Sequence, residues 1–145
     1  MKKAAAILTV AVLLSSCGTT SLYYWGGEQS GATVYENLAY MDYKTQTPES
    51  ICNLVCLYEK MVSNPTGTRG VPPPGICAEY GYLLLLPQTA DIFEQKATSS
   101  QRQMFDSKDY ASLFRERGKD MLKMELELYP ESRQFIEPLI RKLTQ

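Results

Sequence analysis

Apolar residues recur at helical spacing along most of the chain. Ile51, Leu54, Val55, Tyr58, Met61 and Val62 stand at i, i+3, i+4, i+7, i+10 and i+11, which lines one face of a helix of about four turns. Thr47-Pro48-Glu49 marks its start: a Thr N-cap, a Pro in the first turn and an acid near the positive end of the helix dipole. Asn64-Pro65-Thr66-Gly67 ends it. Tyr35, Leu38 and either Ala39 or Asp42 make a shorter helical pattern over 34–43. A Gly/Pro-rich loop, 64–75, leads into Ile76 to Leu86, which Pro87 stops. That segment exceeds ten residues, carries Ala78 and several Leu, and has no β-branched residue after Ile76, so helix is favoured over a buried strand. Ser107 to Tyr129 form the longest pattern, with Tyr110, Leu113, Phe114, Met121, Leu122, Met124 and Leu128. Its interleaved charges, Lys123 and Glu127 among them at i, i+4, read as a solvated face. Pro130 breaks the pattern. A last segment, 131–143, presents Phe135, Ile136, Leu139, Ile140 and Leu143, with a kink expected at Pro138. No segment shows a defensible strand alternation. The fold class expected is all-α, a single small domain of antiparallel helix hairpins.

The beginning of the chain follows different rules. Lys2 and Lys3 precede an apolar run from Ala4 to Leu14, then the small residues Ser15 and Ser16, then Cys17. This is the layout of a secretory signal. The apolar run is too short for a bilayer core of roughly 30 Å, which needs about 20 residues. Leu14-Ser15-Ser16-Cys17 resembles the lipobox of bacterial lipoproteins, in which the Cys thiol receives a diacylglycerol and the peptide is cut just before it. The resemblance implies a signal peptide over 1–16 and lipidation at Cys17. It also implies an anchor made of buried acyl chains rather than a spanning helix. Gly18 stands where an Asp would suggest retention in the inner membrane. The expected location is therefore the outer membrane, facing the periplasm, in a host with two membranes. Residues 17–33 read as the lipidated Cys and a polar tether. Tyr23-Tyr24-Trp25-Gly26-Gly27 interrupts it, because three adjacent aromatics are expected to dock on the domain or on a partner. The helical domain is assigned to 34–145.

Charge and composition narrow the function. Loss of Lys2 and Lys3 with the leader leaves 13 basic against 16 acidic residues, a net charge of −3. Such a chain offers no electrostatic reason to bind nucleic acid and no basic stripe to hold an anionic membrane by charge alone. It contains no His, which removes the commonest general base, the commonest metal ligand and the usual partner of a nucleophilic Ser or Cys. Gly67 and Gly70 do not make a P-loop, since the Gly-Lys-Ser/Thr ending is missing, and Arg69 lacks a phosphate-binding context. No pair of carboxylates stands out, and Glu79, between apolar neighbours, is read as structural. No metal and no cofactor are expected. Cys52, Cys56 and Cys77 leave two main readings open. One is a bridge from Cys77 to Cys52 or Cys56, worth roughly 3 kcal/mol by chain entropy. The other is three buried thiols behaving as small apolar groups. A three-Cys zinc site without His is a weaker third.

Two resemblances add to this. Cys77-x2-Tyr80-Gly81-x2-Leu84 resembles the first helix of a tetratricopeptide repeat, W-x2-L-G-x2-Y, and Gly118-x3-Leu122 followed by Pro130 resembles the second. Gly81 and Gly118 are much further apart than the repeat allows, which points to an insertion near 87–112. The mature chain as a whole resembles a family of small bacterial lipoproteins with no assigned activity. The residues that carry this are Tyr23-Tyr24-Trp25-Gly26, Val71-Pro72-Pro73-Pro74-Gly75, Ala78-Glu79-Tyr80-Gly81-Tyr82 and Leu128-Tyr129-Pro130-Glu131-Ser132. The insertion and the three further cysteines depart from it. The resemblance implies an envelope lipoprotein, often encoded among other small lipoproteins, including one similar to the curli-secretion pore protein, and supplies no catalytic residue. The function expected is a non-enzymatic adaptor, held to the membrane by its lipid and binding another envelope protein. Tyr23, Tyr24, Trp25, Tyr80 and Tyr82 would be either its contacts or the packing that shapes them. An accessory subunit of a secretion or envelope-assembly complex is the alternative, and a cell-wall or lipid-modifying enzyme fits less well.

Overall fold

The computed structural model describes residues 20–143, so the leader and Cys17 lie outside the described residues. The described part is all-α apart from one small hairpin, β1 (Glu28–Gln29) and β2 (Ala32–Thr33). Seven helices follow: α1 (Val34–Thr45), α2 (Pro48–Ser63), α3 (Ile76–Leu85), α4 (Pro87–Lys96), α5 (Ser99–Gln103), α6 (Tyr110–Leu128) and α7 (Arg133–Leu143), with a 3-10 turn over Pro130–Ser132 before the last. Among the described residues no helix is long and apolar enough to cross a membrane. The hairpin has no counterpart in the sequence reading. Its strands are two residues long, too short for alternation to register, and its turn uses Ser30 and Gly31 at positive φ.

Local chemistry accounts for most helix boundaries. Thr33 and Glu36 form a reciprocal capping box at α1, and the Thr47 hydroxyl accepts from the Ser50 N–H at α2 with Pro48 in the first turn, each bond satisfying an otherwise unpaired donor. Helix α2 is central and packs on α1, α3 and α4. Its buried face carries Leu54, Val55, Leu57, Tyr58, Met61 and Val62, so the apolar stripe expected there is the core. Helix α7 runs through Pro138 without a break in its assignment and buries only Ile136.

The segment 87–112 is no excursion from the fold. Pro87 does not merely stop α3: it occupies the first turn of α4, with Leu86 ending one helix and starting the next. Phe93 of α4 is fully buried and lies 5.1–5.2 Å, centroid to centroid, from Phe105, Tyr110 and Phe114. Edge-on ring pairs at this distance add roughly 0.5–1.5 kcal/mol each beyond area burial. The inserted stretch thus supplies one end of the core. Helix α6 starts at Tyr110, three residues later than its pattern suggested, because the Asp109 carboxylate accepts from the Ser112 N–H and fixes the start there.

Helices α3 and α6 make the most intimate pair, and glycines sit where they cross. A Cβ on Gly81 would come within 2.8 Å of the Gly118 carbonyl oxygen, and one on Gly118 within 2.7 Å of Leu85. Backbones approach this closely only where side chains are absent. The charges of α6 are not all solvated, as its pattern suggested. Glu125 is 2 % exposed, and Lys123 pairs with Asp120 at 3.6 Å rather than with Glu127.

Candidate functional site

Of the five aromatic residues singled out in the sequence, three gather at one place. Tyr23, Tyr24 and Trp25 are half-buried and line an open cleft of about 340 Å³ together with Glu28, Thr33 and Thr66–Thr68. Trp25 also borders a second hollow of about 210 Å³ with Tyr35 and Glu36. The segment that carries them is fixed by backbone bonds. The N–H groups of Thr68 and Arg69 donate to the Ser21 and Leu22 carbonyls at 3.1 Å, and the Tyr35 N–H donates to the Trp25 carbonyl at 3.2 Å. Gly67 permits the crossing, since a Cβ there would lie 2.5 Å from Leu22 and Tyr23 backbone atoms. Of the two expectations for the aromatic cluster, docking on the domain or on a partner, the structure shows packing against the domain. A polar tether extending as far as residue 33 was also expected, but Ser21, Leu22, Trp25 and Gly27 are tied to the domain by backbone bonds and 28–33 form the small hairpin.

Tyr80 lies elsewhere. It is fully buried, so its role is packing and not direct contact. Tyr82, two positions further along α3 and therefore on the opposite side of the helix, is 45 % exposed and does not join the cleft.

A line of rings ties the cleft to the core. Trp25 lies 5.3 Å from Tyr35 with the rings tilted, Tyr35 lies 6.2 Å from Tyr58, and Tyr58 lies 5.7 Å from Tyr80. Two carboxylates collect the hydroxyls. Glu79 accepts from Tyr35 at 2.9 Å and from Tyr58 at 2.8 Å. Glu59 accepts from Tyr80 at 2.7 Å, from Ser63, and from both ends of the Arg117 fork at 2.7 and 3.2 Å. Burial, and after it the bonded Glu79, pushes the Tyr35 hydroxyl up to about 12. Burial likewise raises Tyr58 and Tyr80 well beyond the ordinary phenol range. These hydroxyls stay protonated and donate, which suits fixed struts and not general bases. Burial alone would raise Glu59, but the bonds from Ser63, Tyr80 and Arg117 outweigh it and hold the carboxyl below its usual value.

Glu125 makes a different connection. One of its oxygens accepts from the Gly75 N–H at 2.9 Å, at the start of α3, where no side chain of α3 itself caps the helix. Its other oxygen is buried without a partner. Burial pushes its pKa up against the backbone bonds that would lower it. An acid whose folded pKa is raised destabilises the native state as pH rises through the interval between its unfolded and folded values. Glu125→Gln keeps an acceptor for Gly75 and removes the charge. This variant should melt above the wild type at pH 7, and the difference should vanish below pH 4. Glu125→Ala, which deletes the cap, should instead lose about 1–2 kcal/mol at both pH values. Thermal melts across that range check the sign; a Gln variant melting below wild type at pH 7 refutes it.

The three thiols at Cys52, Cys56 and Cys77 are free and buried, and the bridge from Cys77 to Cys52 or Cys56 is not made. Burial raises all three, Cys56 to about 11 and Cys77 to about 12, so they are protonated at neutral pH and poor nucleophiles or metal ligands. Among the described residues no group of three His, Cys, Asp or Glu gathers that could hold a metal.

The segments that carried the family resemblance converge in space. The Tyr129 hydroxyl, pushed up by burial and then by a hydrogen bond with Tyr23, donates to the Pro72 carbonyl at 2.6 Å. The Arg69 guanidinium stands 6.0 Å over the Tyr23 ring. The ring line through Trp25 and Tyr35 reaches Glu79. Glu59, Glu125 and Arg117 were missed in the sequence because charges on an amphipathic helix read as its wet face. A buried cap on a neighbouring helix leaves no local signature. Comparison of the chain with protein families, with characterised proteins and with solved structures finds no match to any of them.

Proposed function

We propose that this chain is an outer-membrane lipoprotein, anchored through Cys17, that acts as a non-enzymatic adaptor for another envelope protein. The observation that carries this reading is the open cleft on which Tyr23, Tyr24 and Trp25 are presented half-exposed. Aromatic side chains offer a partner large contact area with little entropy to lose, which makes them frequent anchors at interfaces. A degenerate tetratricopeptide-like hairpin of α3 and α6, closed on Gly81 and Gly118, would serve as the rigid frame behind them.

Trp25→Ala should reduce capture of the partner at least fivefold in crosslinking from intact membranes, while the melting temperature falls by only a few degrees. Unchanged capture rules out the cleft, and a melted domain makes Trp25 part of the core. Mass spectrometry of the mature protein should find Cys17 first and acylated; another N-terminus ends the anchoring part of the reading.

One observation favours a stable accessory subunit as the second reading. Tyr43, Tyr40 and Met41 on α1 are 83 %, 61 % and 47 % exposed, and Phe135 on α7 is 70 % exposed. Such surfaces suit a permanent interface, which would appear as a stoichiometric complex surviving purification.

A further inference from the structure

Cys17 stands only four residues before Ser21 in the sequence. Ser21 is held by the Thr68 N–H and Leu22 by the Arg69 N–H, both at 3.1 Å. Four residue steps separate Cys17 from Ser21, a contour of at most about 14 Å at 3.3–3.6 Å per residue. A free linker reaching from Cys17 to Thr33 would span roughly 20 Å on average and far more when stretched. An acyl-bearing Cys sits at the edge of the hydrocarbon, beneath a headgroup layer of roughly 6 Å, so little more than one side-chain length remains beyond it.

The edge that this short leash presents is formed by Leu22, 54 % exposed, and the exposed loop residues Arg69 and Gly70, none of which lines the aromatic cleft; Thr68, which does, stands at the border between the two. Lys60, at the C-terminal end of α2, is exposed nearby, sharing a hollow with Tyr24. Leu22 can enter the headgroup layer, and the Arg69 fork matches a lipid phosphate. The C-terminal end of α2, where Ser63 and Asn64 share a hollow with Tyr24, marks the near side, and the far end of α1 lies at the other end of that helix. The Ser50 hydroxyl donates to Asp42 at 2.9 Å, so Tyr43 lies near the start of α2, about 20 Å along that helix from Ser63 at 1.5 Å per residue.

We propose that the Leu22–Arg69 edge is a membrane-contact surface that rests on phospholipid headgroups and fixes the orientation of the domain, with α1's Tyr43 end pointing away. This rests on the lipid-anchor reading above. It goes beyond that reading because a lipoprotein on a long flexible tether would tumble freely.

The test uses the full lipidated protein in phosphatidylcholine–phosphatidylglycerol vesicles that contain a lipid with a nitroxide on its headgroup. Trp25 is the sole Trp, so a Trp25→Phe background accepts a single reporter. Fluorescence of Leu22→Trp should be quenched at least twofold, and that of Tyr43→Trp should be unaffected. Inserting ten Gly/Ser residues between Thr19 and Thr20 should abolish most of the quenching. Thr68→Trp serves as the near reporter if Leu22→Trp does not fold. Vesicle flotation separates the two ideas. A protein that floats with its near reporter unquenched, or with both reporters quenched alike, overturns the oriented contact and leaves the anchor standing. A protein that does not float overturns both.

Discussion

Gly81→Val should destabilise the domain by at least about 3 kcal/mol, at the upper end of what overpacking imposes, and lower its melting temperature by on the order of 10 °C. The first new carbon would meet the Gly118 carbonyl oxygen at 2.8 Å and the Leu122 side chain at 2.9 Å. Leu122 is fully buried and has little room to move, and a backbone carbonyl cannot turn aside without breaking its own helix. The milder Gly81→Ala separates two effects of opposite sign. Helix propensity alone would make it more stable by about 1 kcal/mol, whereas the contact with α6 should make it less stable by about 1–2 kcal/mol net. Denaturant unfolding measures the difference. A gain in stability for the Ala variant would mean that α3 and α6 do not meet through their glycines in solution.

That contact also shows how far the sequence could be read. Gly81 and Gly118 fit a spaced motif, and they lie against each other. The motif could not say what filled the chain between them. Residues 87–112 looked like an interruption, although Pro87, Ala90, Phe93 and Ala97 already carry a first-turn Pro and a helical apolar spacing. Phe93 is as buried as any of the described residues. Helix α2 was legible from Thr47 to Asn64 because its cap, first-turn Pro and apolar face are all local. The docking of the aromatic segment was legible only as a need for cover. Its location depends on Gly67 admitting a second backbone, a long-range fact that no window of sequence contains. For Tyr80 the sequence leaves contact and packing both open, because a tyrosine at a helical apolar position can be surface or core; it is buried, and Glu59 lies within reach of its hydroxyl, so burial leaves no donor unpaired.

Glu59 also sets the second large effect. Arg117→Met should destabilise the protein by about 2–3 kcal/mol at neutral pH, because it leaves a largely buried carboxylate with its strongest partner removed. The Glu59 and Arg117 side chains are only 15 % and 32 % exposed, so water can replace little of what the guanidinium supplies. Met keeps most of the apolar stem that Arg117 packs against its neighbours, and the loss therefore reports the charge. The pH dependence gives the reading its sign. In the native protein Glu59 titrates below its ordinary carboxylate value. Its stabilising contribution is complete above the unfolded value and disappears as pH falls through the folded one. The gap between wild type and Arg117→Met should therefore be widest at pH 7 and shrink as pH falls below the ordinary carboxylate range and Glu59 takes up a proton. Neutralising both partners, Glu59→Gln with Arg117→Met, should recover part of the loss at pH 7, since the cost lies in the orphaned charge more than in the missing pair. Urea unfolding of the three proteins at pH 7 and pH 3 decides it. A gap independent of pH would reassign the effect to packing around Arg117. Failure of the double variant to recover would mean that Tyr80 and Ser63 need a charged acceptor, and that the line of rings from Trp25 inward ends on an electrostatic anchor rather than on a neutral hydrogen bond.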